Sequence, residues 1–295
     1  QWIVYFAADG SVDDSFGTLG SVFDGPMGSG PGYAAHDVIE LTGSGGEGRF
    51  LVVGEVPSAD RGYVMSLTRY NADLNIDASF GSGGTFEVPF GSGSSGARRV
   101  AAVSNDALIV GGWHSGTNPP VDRDFALLWL HADGTLDLSR GAAGELTYDM
   151  TETDELVDLL TMRGKTMIGG STDTPRQGVL ARFASAGRDP TFPVTALPPP
   201  VSPSVVYQGL RFHALAQTEY SKYAVGRLDW SGGSYALICR FTDDGILDAS
   251  VPGDGRQTYR LGSDRSEFTA IAVQGSKLLC AGASDGNVAL KRLWH

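Results

Sequence analysis

The chain has 295 residues, with 41 glycines, 14 prolines and only 19% charged residues. So much glycine without a G-X-Y period excludes collagen and disorder, and calls for many short strands joined by tight turns. A formal net charge of −12 argues against nonspecific binding to nucleic acid or to an anionic membrane, and no apolar run reaches the roughly 20 residues of a membrane span.

In chain order the sequence reads as one unit repeated. A strand at 1–6 precedes the Asp9-Gly10 turn. Strands a, b, c and d of the first unit are then expected at 21–24, 36–41, 50–55 and 63–70. The second unit places them at 85–90, 98–103, 107–113 and 125–131, and the third at 145–148, 155–161, 165–170 and 178–183. The fourth has 194–197, 212–217, 223–228 and 235–241, and the fifth 257–261, 268–273, 277–282 and 288–294. Apolar alternation and β-branched or aromatic enrichment mark each of them. Residues 152–162 come nearest to helical spacing, but they occupy the place of strand b and are expected as strand.

Two landmarks fix the period. Strand c ends in glycine at Gly54, Gly111, Gly169, Gly226 and Gly282, which lie 57, 58, 57 and 56 residues apart. Asp77-Ala78-Ser79-Phe80-Gly81, within Leu74 to Val88, returns in weaker form at Asp13, Asp137, Asp189 and Asp248. A period this constant across divergent sequence signals stacked supersecondary units. The expectation is an all-β, single-domain β-propeller over 1–295, with five four-stranded blades of about 57 residues. The strand at 1–6 resembles strand d and is expected to close the ring near the last blade, which removes free edges. A six-bladed ring, a larger array and an open solenoid are the alternatives.

Residues 76–84, followed by an apolar strand ending in glycine and a strand ending in an Asp-Gly turn, resemble the delta-60 repeat of bacterial secreted and surface proteins. The resemblance covers essentially the whole chain, although the third to fifth units keep only the Asp and the Ser or Thr. It implies a propeller-like, secreted or extracytoplasmic protein and brings no catalytic residues with it. The chain opens at Gln1 without a basic, apolar leader, so a signal peptide is expected to have been removed or never to have existed.

The Asp-Gly and Asp-x-Ser/Thr elements read as turns, in which short polar side chains bond nearby backbone N–H groups. A calcium loop is the competing reading, without EF-hand spacing to support it; no other cofactor is expected. An aromatic or Arg recurs late in strand d, at Tyr5, Arg69, Trp129, Arg182, Arg240 and Arg292. Such an Arg is expected to cover apolar surface and pair with a turn carboxylate. Gly282 to Gly286 matches G-x-S-x-G, but it joins two hairpin strands rather than a strand and a helix, so the nucleophile elbow is rejected. The runs at 43–48 and 91–96 lack a phosphate-loop ending and read as flexible connections. His36, His114, His131, His213 and His295 show no ligand spacing. Cys239 and Cys280 are expected as buried thiols.

Function is expected where the units differ. The a–b and c–d connections vary, emerge on one face, and carry candidate ligand-binding residues Trp113, His114, Arg123, Asp124, Asp173, Arg176, Asp229 and Trp230. Variable loops on a rigid scaffold commonly hold the site. The expected protein is a monomeric binding module for a carbohydrate or protein ligand, using tryptophan stacking and Arg or Asp hydrogen bonds. The first alternative is a glycosidase- or lyase-type enzyme with channel carboxylates such as Asp124, Asp173 and Asp229. The second is a purely structural repeat.

Overall fold

The computed structural model describes every residue except 1–2, 5, 8, 13–20, 23–33, 42–47, 105–106, 117–121, 151–152, 163, 174–175, 186, 201–204 and 295. The expected strand at 21–24, the repeat copy at Asp13, the ring of Tyr5, most of the run at 43–48 and His295 lie wholly or partly outside the described residues. Two compact units divide the chain, Gln1–Tyr148 and Asp149–His295.

In the first unit, β1 (Ile3–Val4) pairs with β2 (Ser21–Val22). β3 (Ala34–Leu41), β4 (Arg49–Ser58), β5 (Gly62–Tyr70) and β6 (Thr85–Val88) form an antiparallel meander. β7 (Ser95–Ser104), β8 (Ala107–His114), β9 (Asp124–His131) and β10 (Glu145–Tyr148) repeat it. In the second unit, β11 (Asp154–Met162), β12 (Lys165–Asp173) and β13 (Arg176–Ala184) pair in order, and β13 also holds β14 (Gly187–Arg188) and β15 (Thr195–Leu197). β16 (Tyr207–Gln217), β17 (Lys222–Trp230), β18 (Gly233–Phe241) and β19 (Arg256–Tyr259) form the next meander. β20 (Ser266–Gln274), β21 (Lys277–Ser284) and β22 (Asn287–Trp294) form the last. No helix occurs among the described residues, and 152–162 is strand from Asp154 onward.

The strand types are as expected, but their grouping differs by one strand. Four sheets run b–c–d and then take strand a of the following unit, with β6 pairing β5, β10 pairing β9, β15 pairing β13 and β19 pairing β18, while the last sheet stops at b–c–d among the described residues. The segment at 74–84 therefore does not launch a sheet; it folds strand d back onto the last strand of the same sheet. The reason is reach. Phe80, at 0% exposure, anchors this turn in the core that β5 already lines.

Within each unit, apolar side chains of strands c and d pack against those of the adjacent sheet, whereas β22 leaves Val288, Leu290 and Trp294 exposed. In the first unit Leu51, Val53, Met65, Leu67, Val110 and Leu128 pack in one cluster. In the second, Met167, Leu180, Phe212, Leu237 and Phe241 do the same, and Tyr223, Val225, Ile238 and Phe268 form another. Each such side chain contributes roughly 1.5–3 kcal/mol on full burial. Cys239 and Cys280 are buried free thiols in these clusters.

The landmark glycines are explained by bulges, where strand b inserts an extra residue. The register breaks between Ala35 and Asp37, Ala97 and Arg99, Leu156 and Asp158, Phe212 and Ala214, and Phe268 and Ala270. Facing these breaks are Gly54, Gly112, Gly170, Gly226 and Gly282. A Cβ on Gly54 would lie 1.8 Å from the Ala34 carbonyl oxygen, and on Gly226 1.9 Å from that of Arg211. The glycine is thus needed for backbone approach, not for a left-handed conformation. It also corrects the register: the equivalents of Gly54 are Gly112 and Gly170, one residue beyond Gly111 and Gly169. Two bulges also stitch sheets within a unit. Asp37 Oδ2 accepts from Val100 N at 3.0 Å, and Asp158 Oδ2 from Leu215 N at 2.7 Å.

The repeated aspartates form a hook with one geometry. Oδ1 of Asp77, Asp137, Asp189 and Asp248 accepts both the backbone N–H and the hydroxyl of Ser79, Ser139, Thr191 and Ser250, with hydroxyl distances of 2.6, 2.5, 2.7 and 2.5 Å. Oδ2 meets a guanidinium Nε: Arg69 at 2.9 Å, Arg182 at 2.9 Å and Arg240 at 3.0 Å. Both oxygens thereby serve the turn, as the turn reading requires. Arg69 and Arg182 also lie over Phe80 and Phe192, at 4.8 and 4.5 Å from the ring centres. In the second sheet the pair is exchanged. Trp129 stands where Arg69 would, Arg140 stands where Phe80 would, and Arg140 Nε reaches Asp137 Oδ2 at 3.0 Å.

Candidate functional site

Alternation of strand direction puts the c–d turns and the sheet-to-sheet a–b connections at the same edge, opposite the hooks. Backbone bonds join them: Ser115 N to Ser94 O at 2.8 Å, and Asp173 N, Ser234 N and Asp285 N to Thr153 O, Asp264 O and Arg265 O, each at 3.0 Å. The glycine run at 91–96 is part of this lattice and is not a flexible link. The Ser94 hydroxyl bonds the Arg61 carbonyl, the Arg61 guanidinium bonds the Gly91 carbonyl, and a Cβ on Gly93 would fall 1.7 Å from Ser115 O.

In the second unit this edge opens into a polar cleft of about 350 Å³, lined by Arg176, Gln208, Arg227, Asp229, Trp230 and Arg265 among others. Arg227 and Asp229 lie two apart on strand β17 and so share a face. Their ion pair is 3.1 Å long. Arg227 Nη1 also donates to Glu267 Oε2 at 3.2 Å. His213 Nε2 lies 3.5 Å from the same carboxylate oxygen. Burial is the main cause that holds the His213 imidazole below its usual pKa, with Glu267 pulling the other way and Arg227 adding to the fall. Trp230 stacks on Tyr235 with ring centres 5.8 Å apart and 14° between planes.

Arg265 is placed by a turn twenty residues away. The Asp285 carboxylate accepts the backbone N–H groups of Ser263, Asp264 and Arg265 at 2.6, 3.1 and 2.8 Å. Those bonds, that of Arg265 first, pull its pKa down to about 2. Asp285 itself sits at φ 48° in the Ser284–Asn287 hairpin, within the rejected G-x-S-x-G match. At the other side of this connection, a Cβ on Gly233 would be 1.7 Å from Asp264 O.

Of the residues singled out by sequence, Arg176, Asp229 and Trp230 come together around the cleft. Asp173 is exposed and pairs with Arg211 Nη2 at 2.7 Å. Trp113, His114, Arg123 and Asp124 belong to the first unit. Trp113 is 5% exposed and Arg123 lies over its ring at 4.1 Å, so the indole is covered instead of being offered for stacking. Its Nε1 is aimed at Glu55 but falls short of strict hydrogen-bond geometry. His114 packs on Phe90 at 5.5 Å, and burial lowers its pKa. Asp124 pairs across the β8–β9 hairpin with His114. Sequence reasoning missed Gln208, Arg227 and Arg265. The Arg-x-Asp spacing at 227–229 is a signal that strand alternation makes readable, whereas nothing local marks Arg265.

Comparison with known proteins places these features beside two solved structures. No protein-family model matches the chain, and no curated protein does. The β-propeller domain of the trilobed protease from Pyrococcus furiosus, described as having an open velcro topology, superposes with a TM-score of 0.40 at 11% identity. The match covers 83% of this chain and 63% of that one. The GH32 β-fructofuranosidase BmSUC1 of Bombyx mori gives a TM-score of 0.41 at 11% identity, over 84% of this chain and 55% of that one. The chain thus spans less than two thirds of either solved protein.

Proposed function

We propose that this chain is a ligand-binding module of the delta-60 repeat type, built as a five-bladed β-propeller and working outside the cytoplasm. Its ligand, a carbohydrate or a protein surface, sits on the edge made by the c–d turns and a–b connections. Five meanders with the same b–c–d order support the propeller reading. The observation that carries the binding reading is the cleft, where Arg176, Asp229 and Trp230 converge on one concave polar surface. A pocket with a few convergent polar groups on a rigid scaffold is the usual form of a binding site.

Glycosidic hydrolysis asks for two carboxyl groups facing one bond. Asp229 is the one carboxylate among the described lining residues, and Asp173 is engaged by Arg211. The binding reading therefore has the better support. It is tested by titrating the protein with glycan and peptide panels while following Trp230 by NMR. Saturable shifts at Trp230, abolished in Arg176→Ala, are expected. No response from any panel member, or hydrolysis that disappears in Asp229→Asn, would overturn it.

A further inference from the structure

The geometry points to an anionic saccharide as the occupant of the cleft, with its carboxylate or sulfate held by Arg176 and Arg265. This rests on the carbohydrate reading above and narrows it.

The first argument is a contrast among arginines. In the unit 149–295, Arg182, Arg211, Arg227 and Arg240 are ion-paired, and Arg188, Arg256, Arg260 and Arg292 donate to oxygens of the protein. The side chains of Arg176 and Arg265 have no hydrogen bond or ion pair among the described residues, and both line the cleft. The two unspent guanidinium groups among the described residues of this unit thus line one cavity. Arg227 adds a third cation, already balanced by Asp229 and Glu267.

The second argument is charge. The protein carries a net −12, yet this lining has three guanidinium groups against a single carboxylate. A local excess of cations on an acidic protein selects an anion at one place and repels it elsewhere. The planar fork of Arg matches carboxylate and sulfate in a bidentate manner.

The third argument is preorganisation. Three backbone N–H groups bound by Asp285 hold the connection that bears Arg265. The stem of Arg176 runs against Gly209, where an added Cβ would come within 2.7 Å of it. Fixing the donors before binding reduces the ordering cost of holding a ligand. Beside the cations lie the polar Gln208 and Ser231, partners for the hydroxyls of a sugar, and the Trp230 indole, one face of which already stacks on Tyr235. A bare inorganic anion has no apolar face to set against the indole.

The test is calorimetric titration of the full chain with four probes: oligogalacturonate, a sulfated chondroitin oligosaccharide, neutral cello-oligosaccharide and hexaglutamate. One or both acidic sugars are expected to bind about tenfold or more tightly than the neutral one, the worth of a charge-assisted bond. The stronger of the two identifies the acidic group. Arg176→Ala and Arg265→Ala are each expected to lose about tenfold for the acidic sugar, and Arg176→Lys less. Arg292→Ala, remote from the cleft, is expected to change nothing, and thermal melting verifies that each variant is folded. Equal binding of neutral and acidic sugars overturns this inference and leaves the carbohydrate reading intact. Binding of hexaglutamate with no sugar bound overturns the saccharide class, and unchanged affinity in both Arg→Ala variants overturns the assignment of the site.

Discussion

The two edges of these sheets use the same residue types to opposite ends. At the hook edge, an aspartate, a hydroxyl and an arginine close on one another, and the arrangement is repeated at Asp77, Asp137, Asp189 and Asp248. At the other edge of the second unit, Arg176 and Arg265 line a cleft without a side-chain partner among the described residues, while Asp229 pairs with Arg227. Regularity marks the places where polar groups satisfy each other; irregularity marks the places where some are left without a side-chain partner.

The largest expected effect tests the hook. Asp189 is 3% exposed and serves Lys165, Arg182 and Thr191 together. Asp189→Ala strands two cations and is expected to cost about 3 kcal/mol in urea denaturation. Asp229→Ala, at the open edge, is expected to cost less than about 1 kcal/mol. Equal losses would erase the contrast between the edges.

Gly226→Val comes next, because its Cβ would sit 1.9 Å from the Arg211 carbonyl. The bulge must move, and thermal melting is expected to report a loss of about 2 kcal/mol. The exchanged pair provides a sharper comparison. Arg69→Trp and Phe80→Arg are each expected to destabilise, while the double variant, which copies Trp129 and Arg140, is expected to recover about 1 kcal/mol in a double-mutant cycle. Strict additivity would show that the clamp is not a unit.

Acid separates the edges less strongly. Asp189 lies well below the usual carboxylate range, with Lys165 the largest cause and Thr191 the next. Asp137 and Asp248 are lowered first by Ser139 and Ser250. At Asp77 burial works to raise the value, but the bonds from Ser79 and the Arg69 and Arg49 charges outweigh it. Because the folded carboxyls bind fewer protons than the unfolded ones, their stabilisation is complete above the unfolded pKa of about 4 and is lost as pH falls below it. Circular dichroism is expected to show unfolding in that acid range. Asp285, at about 2, should keep the Arg265 connection ordered until the pH approaches that value, as NMR of the 263–265 amides would show. The smallest effect concerns the thiols. Burial pushes Cys239 up to about 12 and Cys280 up to about 11, so both are expected to react with a thiol reagent only after unfolding.

Much of the fold was legible because strand alternation and the Asp-x-Ser/Thr hook are local patterns. The pairing of Arg69, Arg182 and Arg240 with turn carboxylates was legible for the same reason, whereas Arg292 bonds Gln274 instead. The grouping of strands was not, since a repeat has the same period wherever its boundary is drawn, and only the pairing of β5 with β6 decides it. The glycine register failed at Gly111-Gly112 and Gly169-Gly170, where a doublet hides which residue faces the bulge. Trp113 misled because burial at a strand end depends on a side chain ten residues away, Arg123. Arg265 was invisible because Asp285 positions it from another turn.

The exchange of Trp129 and Arg140 also bears on how such chains recombine. A crossover within a c–d turn or an a–b connection keeps each arginine with its own carboxylate. A crossover between strand d and its hook does not. Joining the strand that carries Arg69 to the hook that carries Arg140 would crowd two guanidinium groups onto one aspartate. The reciprocal product would set Trp129 against Phe80 and leave the aspartate with no cation. Viable gene rearrangements, and engineered chimeras, should therefore have their seams on the edge opposite the hooks, where sequence is free to differ.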